Sequence, residues 1–367
     1  MINVVYFNQW FSSIAPVIED LKRKLGNKIM VIASSKNPEH AYKNVVDKFI
    51  VEDWEEGYSD EITENNYIRF VRNLCEEYNV DYFFVKKNAE AIAARYDTFN
   101  NMGVKLILDD YKVLKSIESK CNVYRTLEKE LPEKYKYLIP EYYQFGHEEN
   151  SEMDKAKLDD ILYKAENEPW CLKLDIDEGG ASFRQIKTDK ITIDSLNKFR
   201  VNEITLNETH KMLSELNDSE YSKLIFMELL DEPEISIDCY NSKHGLITIC
   251  REKLPGSRVQ KIYHNSKIHN ICEEICKIYG FKFAFNIQFR RKHNGKEMFA
   301  KNLRLLEINP RMSGGTYYST LYDMNIAEFI LKDELGISTK EEYEKYMHFS
   351  DKGSLMVTFV EQAIKLD

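Results

Sequence analysis

Short apolar runs alternate with helical periodicity through the first hundred residues, and this alternation most constrains the fold. The predicted strands are Val4–Phe7, Ile29–Ala33, Lys48–Val51, Tyr82–Val85 and Val104–Leu108. The predicted helices between them are Phe11–Leu25, Asn65–Tyr78 and Ala89–Asn100. Strands joined through helices pair in parallel, because a crossover helix returns the chain to the same end of the sheet. We therefore predict a parallel, doubly wound α/β domain over residues 1–109.

The turn after the first predicted strand limits what this domain can bind. It reads Asn8-Gln9-Trp10-Phe11 and contains no glycine. A dinucleotide-binding domain carries the pattern G-x-G-x-x-G at this place, because the backbone there must approach a pyrophosphate closely. An NAD site is therefore disfavoured. The sequence favours a structural α/β domain that lends one wall to a cleft.

The rest of the chain has a different organisation. Residues 110–130 are strongly helical and charged, and charged sequence with poor periodicity runs through residues 147–167. Apolar segments separated by turn residues then follow, at Trp170–Leu174, Leu224–Leu229, Ile235–Tyr240, Leu246–Arg251, Ala284–Phe289 and Leu303–Ile308. This pattern predicts antiparallel sheets with a few helices, an α+β arrangement. We place a small lobe at residues 110–230, with a linking helix at 110–130, and a C-terminal lobe at residues 231–367.

Composition narrows the class of protein. The chain has 367 residues, 43% of them hydrophobic and 31% charged, and its net charge is −10. This acidic balance disfavours nucleic acid as the main partner, because phosphate backbones need a basic surface. No apolar run is long enough to cross a bilayer, and the N-terminus does not resemble a signal peptide. The seven cysteines lack zinc-type spacing, and Cys272 and Cys276 fit a buried helical face. We expect a cytoplasmic protein without nucleic-acid or membrane partners.

The stretch "LLEINPRMSGG", residues 305–315, combines a strand with an unusual polar face. Side chains of an extended chain point alternately to the two faces of a sheet. Glu307, Asn309 and Arg311 would therefore share one face. Alone, this pattern is equally compatible with the solvent-facing side of an edge strand.

A second polar residue can join this face. Gln288 ends an apolar segment, and Asn294-Gly295 is a good hairpin turn signal between that segment and residues 303–311. The oxygens of Gln288, Glu307 and Asn309 could then lie side by side. Such hard oxygen donors suit Mg²⁺ that keeps water and phosphate ligands. Arg311 could reach a phosphoryl group.

Lys173 lies in the short apolar strand Trp170–Leu174, and a small-residue loop follows. That loop contains Gly179, Gly180 and Ser182, and its backbone amides could fold around phosphates. The lysine could equally extend to the surface along its alkyl chain, and the loop could be an ordinary hairpin turn.

An acidic, apolar segment follows at residues 225–238. Glu228, Leu229 and Leu230 end one predicted strand, and Glu234 opens the next. Aliphatic side chains can enclose a purine, and a nearby carboxylate can bind ribose hydroxyls. The alternative is an acidic turn between two strands.

In this order, these pieces resemble the ATP-grasp superfamily of carboxylate–amine and carboxylate–thiol ligases, in its carbamoyl-phosphate-synthetase-like branch. The resemblance covers most of the chain. Its most specific part is the pair formed by Gln288 and the stretch Glu307–Gly315, and its weakest is Lys120, which follows Ser119 where the family usually has an acid. The resemblance implies an α/β pre-ATP-grasp domain followed by two α+β lobes that hold ATP between them.

The resemblance also implies roles for the nucleotide-binding residues. Lys120 and Lys173 would contact ATP phosphates, and the loop Glu178–Ser182 would close over them. The segment Glu228–Leu230 would meet the adenine, and Glu234 the ribose.

The remaining roles concern metal and catalysis. Gln288, Glu307 and Asn309 would hold one or two Mg²⁺ ions, or Mn²⁺, with Glu307 bridging them. Arg311 and Lys173 would be the catalytic residues that stabilise the transferring phosphoryl group.

The implied reaction joins two small molecules. A carboxylic acid, such as an amino acid, attacks the γ-phosphate of ATP to give an acyl-phosphate and ADP, and an amine then displaces phosphate. Two alternatives stay open: a kinase that phosphorylates a small molecule and stops, and an ATP-binding regulator without ligation. A homodimer also stays open.

The sequence says little about the acid. Basic residues that could receive its carboxylate follow the Ile247–Cys250 strand, namely Arg251, Lys253, Arg258 and Lys261. For at least two of them we expect a solvated basic turn instead. Ser313–Thr316 could touch the acyl group.

Overall fold

The structure is a computed structural model that describes residues 2–55, 65–144, 151–177, 179–187, 202–217, 220, 223–295, 301–347 and 353–358. Of residues 151–158 it describes the backbone only. The chain divides into two compact units. Unit 1 comprises Met1–Lys115, Ile235–Ile287 and Ile308–Asp367, and unit 2 comprises Ser116–Glu234 and Gln288–Glu307. The domain division at residues 109/110 and 230/231 stays a prediction.

The first sheet has the strand order β3-β2-β1-β4-β5, and all its neighbours pair in parallel. Its strands are β1 (Asn3–Asn8), β2 (Ile29–Ser35), β3 (Lys48–Val51), β4 (Tyr82–Phe84) and β5 (Lys105–Ile107). The helices among and after them are α1 (Ala15–Leu25), α2 (Asn66–Glu77), α3 (Ala89–Ala93), α4 (Tyr96–Asn101) and α5 (Tyr111–Glu118). The predicted doubly wound α/β domain is confirmed.

Two predicted helices differ in detail. The predicted helix Phe11–Leu25 opens with a 3-10 turn at Ser12–Ile14, and the α-helix begins at Ala15. Pro16 explains this start, because proline lacks an N–H and fits only the first helical turn. The predicted helix Ala89–Asn100 is split into α3 and α4 at Arg95, which leaves helical geometry.

A second sheet lies in unit 2, with the order β6-β10-β7-β8-β9. Its strands are β6 (Tyr142–Gln144), β7 (Trp170–Leu174), β8 (Arg184–Lys187), β9 (Glu203–Thr205) and β10 (Leu224–Glu228). The pairs are antiparallel as expected, except β8 with β9. The helices of this part are α6 (Lys120–Glu130), α7 (Ser151–Asn167) and α8 (Leu206–Glu215).

Helix α7 was missed by sequence periodicity. Its charged sequence leaves few apolar positions to set a helical period. Ile161 and Ala165, one turn apart, are buried and belong to the same apolar cluster as Trp170 and Leu172. Packing on the sheet therefore compensates for the weak sequence signal.

The third sheet has six strands in the order β15-β14-β11-β12-β13-β16. They are β11 (Leu230–Ser242), β12 (Gly245–Lys253), β13 (Val259–Tyr263), β14 (Ala284–Lys292), β15 (Leu303–Asn309) and β16 (Leu355–Thr358). The helices of this region are α9 (Ser266–Tyr279), α10 (Thr316–Thr320), α11 (Ile326–Glu334) and α12 (Lys340–Met347). The placement of β14 beside β15 brings Gln288 onto the strand next to Glu307.

The cysteines and helices agree with the composition. All seven cysteines are buried free thiols, as expected for Cys272 and Cys276 on α9. Across the described part of the chain, every helix is too short or too polar to traverse a bilayer.

Asn325 joins α11 to α1 within unit 1. Its Oδ1 accepts a hydrogen bond from the Glu328 N–H and so caps α11. Its Nδ2 donates to the Val17 carbonyl at 2.9 Å and to Asp20 at 3.0 Å. One fully buried amide side chain therefore caps α11 and forms hydrogen bonds to α1 at the same time.

We predict that Asn325→Ala lowers the free energy of unfolding by about 2 kcal/mol, because a cap and two buried hydrogen bonds are lost together. Asn265→Ala is the matched control, since Asn265 caps α9 and should cost about 1 kcal/mol. Urea denaturation measures both. Equal losses in the two variants would contradict the link between α1 and α11.

Candidate functional site

Lys173 is a buried lysine near the centre of β7, only 6% exposed. Burial lowers the pKa of Lys173 to about 8, with the positive charge of Lys120 acting in the same direction. Cys171 and Glu307 act in the opposite direction. Lys120 and Glu307 therefore both lie within electrostatic reach of Lys173 in unit 2.

Lys120 opens helix α6 and is itself about nine-tenths buried. Its Nζ donates to the carbonyls of Asp175 and Asp177, at 3.2 Å each. These carbonyls follow β7, directly before the glycine loop. The lysine that sequence marked as the weakest match is thus placed beside Lys173 and that loop.

Asp175 fixes the start of α6 against the end of β7. Its carboxylate accepts from the Ser119 hydroxyl at 2.5 Å and from the Cys121 N–H at 2.8 Å. Ser119 also accepts from the Asn122 N–H at 3.0 Å as the helix cap. The serine that replaces the usual acid before Lys120 therefore positions this lysine through a helix cap. Sequence reasoning missed Asp175.

The loop after β7 is closed by its own side chains. Asp177 Oδ2 accepts from the Ser182 N–H at 3.0 Å and from its hydroxyl at 2.6 Å. Gly179 and Gly180 both have a φ of +68°, a conformation that glycine adopts at little cost. The predicted residue Glu178 lies outside the described residues. The two glycines thus follow shortly after the Asp175 and Asp177 carbonyls that accept from Lys120.

The predicted acids Glu228 and Glu234 both lie against arginines that the sequence analysis did not single out. Glu228 accepts from Arg304 Nε at 3.1 Å and from the Glu141 N–H at 3.0 Å. Glu234 is buried and accepts from Arg290 at 3.2 Å. Arg290 lies on β14 and Arg304 on β15, far along the chain from the two acids. No local sequence pattern could therefore predict these pairs.

A small apolar cluster surrounds the segment predicted to meet a purine. Cys171, Met227 and Leu230 are its buried members, and Leu229 and Leu306 pack against it. Leu306 directly precedes Glu307 on β15. The cluster therefore connects the end of β10 with the strand that carries the predicted metal ligands.

The predicted metal ligands lie on adjacent strands. Glu307 and Asn309 are two apart on β15, so they point to one face, and both are partly exposed while Ile308 between them is buried. Gln288 on β14 is likewise partly exposed between buried neighbours. Among the described residues, no group of three or more His, Cys, Asp and Glu could hold a metal ion. One carboxylate with two amides instead fits Mg²⁺ that arrives with phosphate ligands.

Tyr124 forms a hydrogen bond to the backbone of β15. Its hydroxyl donates to the Leu306 carbonyl at 3.0 Å, next to Glu307. Complete burial raises the pKa of Tyr124 well above its usual value, and Cys121, Cys171 and Glu307 add to the effect. The hydroxyl therefore stays protonated and keeps donating to β15.

Three comparisons bear on this arrangement. Residues 220–352 match a family model described as "ATP-grasp in the biosynthetic pathway with Ter operon". Among solved structures, the biotin carboxylase domain of Hydrogenobacter thermophilus 2-oxoglutarate carboxylase superimposes with a TM-score of 0.61 at 13% identity, covering 94% of this chain and 72% of that one. A comparison with curated proteins finds no significant match.

The chain has the ATP-grasp fold. Two further structures agree. N5-carboxyaminoimidazole synthetase from Staphylococcus aureus gives a TM-score of 0.59 at 13% identity, covering 92% of this chain and 78% of that one. L-amino acid ligase from Bacillus licheniformis gives 0.59 at 11% identity, covering 96% and 79%. The ATP-grasp fold expected from the sequence is confirmed.

In unit 1, a buried carboxylate organises the loop that follows Arg311. Asp238 is fully buried and pairs with Arg251 through two hydrogen bonds, at 2.7 and 3.0 Å. Ser313 and Ser319 donate to the same carboxylate at 2.9 and 2.8 Å. Asp238 therefore ties the residues after Arg311 to the sheet.

This network corrects one expectation from the sequence. Arg251 does not lie in a solvated turn or face a substrate carboxylate, since it is 1% exposed and bonded to Asp238, Ser236, Gln260 and Ser313. Of the other basic residues, Lys253 and Arg258 are exposed and Lys261 is half-buried. Ser313, expected near an acyl group, donates to Asp238.

We predict that Gly315→Ala destabilises the protein by about 2 kcal/mol. A Cβ at Gly315 would lie 2.3 Å from Arg251 Nη1, so the buried arginine must move. Gly353→Ala is the control, because a Cβ there meets nothing within 4 Å. Urea denaturation compares the two, and a Gly315→Ala midpoint equal to that of Gly353→Ala would contradict this reading of the network.

We predict that Lys173→Met stabilises the protein at pH 7. The pKa of Lys173 is lowered in the folded state, so the unfolded chain binds more protons between pH 8 and the ordinary lysine pKa. The penalty of about 3 kcal/mol is full below pH 8 and disappears as the pH rises toward about 10.5. The gain of Lys173→Met should therefore shrink over that pH range.

Thermal midpoints at pH 7, 9 and 10.5 measure the effect. Lys28→Met removes an exposed lysine and should change stability little at any of these pH values. A pH-independent gain in Lys173→Met would show that lost charge is not its cause.

Proposed function

We propose that this protein is an ATP-dependent, ADP-forming ligase that activates a small carboxylic acid and joins it to an amine. The observation that carries the proposal is the convergence of Lys120, Lys173 and Glu307 in unit 2, with Gln288 on the strand beside Glu307. Two cations beside a carboxylate and an amide match the needs of a magnesium-bound polyphosphate.

ATP is the proposed nucleotide. The cluster around Leu229 and Leu230 offers an apolar surface for the adenine, and Glu234 offers a carboxylate for ribose hydroxyls. Lys120 and Lys173 would face the phosphates, where negative charge would favour the protonated form of Lys173 despite its lowered pKa. The Hydrogenobacter structure was solved with MgADP, ADP and bicarbonate, which supports this placement by fold similarity.

Glu307, Gln288 and Asn309 would hold Mg²⁺, or Mn²⁺, in one or two positions. The ion would neutralise phosphate charge and orient the γ-phosphate. The donor set fits this task, because it supplies few protein ligands and leaves the remaining ligands to water and phosphate.

The proposed reaction has two steps. A carboxylate oxygen of the acid forms a bond to the γ-phosphorus while the bond to ADP breaks, giving an acyl-phosphate. The amine nitrogen then attacks the acyl carbon, phosphate leaves with the bonding electrons, and the amine loses a proton. Lys173 and Arg311 would stabilise the negative charge of the transferring phosphoryl group, so the chain needs no nucleophile of its own.

Product analysis separates this ligase from the alternatives. Incubation with ATP, Mg²⁺ and a panel of L-amino acids should release ADP and free phosphate only when both an acid and an amine are present. A stable phosphorylated product without an amine requirement would instead establish a kinase, and tight ATP binding without turnover would establish a regulator.

We predict that Glu307→Gln lowers Mg²⁺-dependent ATP turnover by at least about 100-fold, because the only carboxylate among the three proposed ligands is lost. Glu232→Gln serves as the control, since it removes the same charge from an exposed residue on β11 that is not among the proposed ligands. Initial rates of ADP release over a Mg²⁺ titration measure both variants. Turnover in Glu307→Gln within a few-fold of the parent protein would show that the metal assignment is wrong.

We also propose a cytoplasmic setting. Seven buried thiols without a disulfide support a reducing compartment.

A further inference from the structure

Two acids at the start of β11 pair with two successive arginines of β14, the strand beside it. Glu234 accepts a hydrogen bond from Arg290 Nη2 at 3.2 Å. Asp231 lies 3.8 Å from Arg291 Nη2. Because successive residues of a strand point to opposite faces of the sheet, Arg290 and Arg291 point to opposite faces of β14. The two acid–arginine pairs are therefore distinct in space, although they join the same two strands.

Arg290 lies on the face of β14 that carries Gln288, two residues before it. Both residues are partly exposed, whereas Phe289 between them is buried. Burial raises the pKa of the Cys171 thiol to about 11, and the positive charges of Lys173 and Arg290 oppose that rise. Cys171 is a buried member of the apolar cluster that we propose for the adenine. Arg290 therefore lies within electrostatic reach of that cluster, on the face of a proposed metal ligand.

The Glu234 carboxylate is poorly hydrated, since the residue is only 7% exposed. A charged carboxylate at such depth is costly unless a cation and hydrogen bonds compensate it. The guanidinium of Arg290 is permanently charged and supplies this compensation. An ionised carboxylate only accepts hydrogen bonds, and it accepts about four in all. A Glu234 carboxylate held by Arg290 therefore suits hydroxyl groups of a ligand, which can donate to it.

We propose that Arg290 is a positioning residue that orients Glu234 toward the hydroxyl groups of a ribose, and that it thereby sets a preference for ribonucleotides over deoxyribonucleotides. This inference rests on the proposed function, in which Glu234 meets the ribose. It goes further by assigning the discrimination between sugars to an arginine of the neighbouring strand. Arg290 acts through Glu234, and the proposal requires no contact between Arg290 and the nucleotide.

The test measures nucleotide binding without turnover. ADP, 2′-deoxy-ADP and 3′-deoxy-ADP are titrated into the full-length protein with Mg²⁺, and calorimetry gives each Kd. ADP should bind at least about 10-fold more tightly than at least one deoxy analogue, because the missing hydroxyl leaves a buried acceptor unpaired. This ratio of Kd values should fall to about 3-fold or less in Arg290→Gln, because the carboxylate is no longer held in place.

The neighbouring arginine is the matched control. Arg291→Gln removes the same charge from the next residue of β14, and its partner is Asp231 rather than Glu234. It should keep the parent ratio. Arg290→Lys keeps the charge but loses the planar group with its fixed donors, so its ratio should lie at least about 2-fold below that of the parent. Arg290→Lys carries the test if Arg290→Gln does not fold.

Three outcomes would overturn the proposal. The first is a parent ratio in the Arg290 variants, and the second is an equal fall in Arg291→Gln. The third is tighter binding of all three nucleotides in Arg290→Gln, since Arg290 would then obstruct the site rather than position Glu234. A parent protein that binds the three nucleotides equally well, or binds none of them, refutes the proposal as well.

One further variant separates this inference from the proposed function. Glu234→Gln replaces one acceptor oxygen by a donor and should lower the ratio as far as Arg290→Gln does. A parent ratio in Glu234→Gln would show that the ribose assignment within the proposed function is wrong. A ratio that depends on Glu234 but not on Arg290 would refute this inference alone. Discrimination that depends on both residues, in a protein that forms no product from an acid and an amine, would uphold the inference and refute the proposed reaction.

Discussion

The burial of one positive charge constrains unit 2 more than any other interaction. An ammonium group loses most of its hydration at the position of Lys173, and the lowered pKa expresses that loss. A structure selected for stability alone would place an apolar residue in the middle of β7. The surrounding groups suit this charge instead: Glu307 offsets it, and Lys120 is turned toward the carbonyls after β7. The site therefore suits an anion that supplies further negative charge, and this is the reason for which we propose a polyphosphate as its occupant.

The buried charge in unit 1 is that of Asp238, and hydrogen-bond donors compensate it fully. Asp238 has no exposed surface, yet two arginine nitrogens and two serine hydroxyls donate to it. Asn286 donates to it as well, at 3.0 Å. A carboxylate whose hydrogen-bonding capacity is already used has little capacity to bind a ligand. Its role is to fix the positions of the residues that it contacts. Unit 2 thus holds a buried charge that its surroundings compensate only in part, and unit 1 holds one that its hydrogen-bond partners compensate fully.

This difference explains what the sequence could and could not predict. The strands, and the placement of Gln288 and Glu307 on adjacent strands, were accessible, because alternation along one strand and the order of motifs are local signals. The partners Arg304 and Arg290 were not, since they reach Glu228 and Glu234 across strands far apart in sequence. Arg251 was misread for the same reason: its local context is a basic turn, and only the tertiary structure supplies Asp238. Helix α7 was missed for a different reason. Its sequence has only a weak helical periodicity, and packing against the sheet stabilises the helix nonetheless.

The turn after β1 lacks the glycine fingerprint of a dinucleotide-binding domain. The positive φ that glycine provides elsewhere is adopted here by Gln9, whose side chain is anchored on Glu52. Glycines leave bare backbone amides, which suit a pyrophosphate in close approach. This turn instead presents side chains, among them the exposed ring of Phe11. The carboxyl edge of this sheet therefore offers side chains, rather than bare backbone amides, to its surroundings.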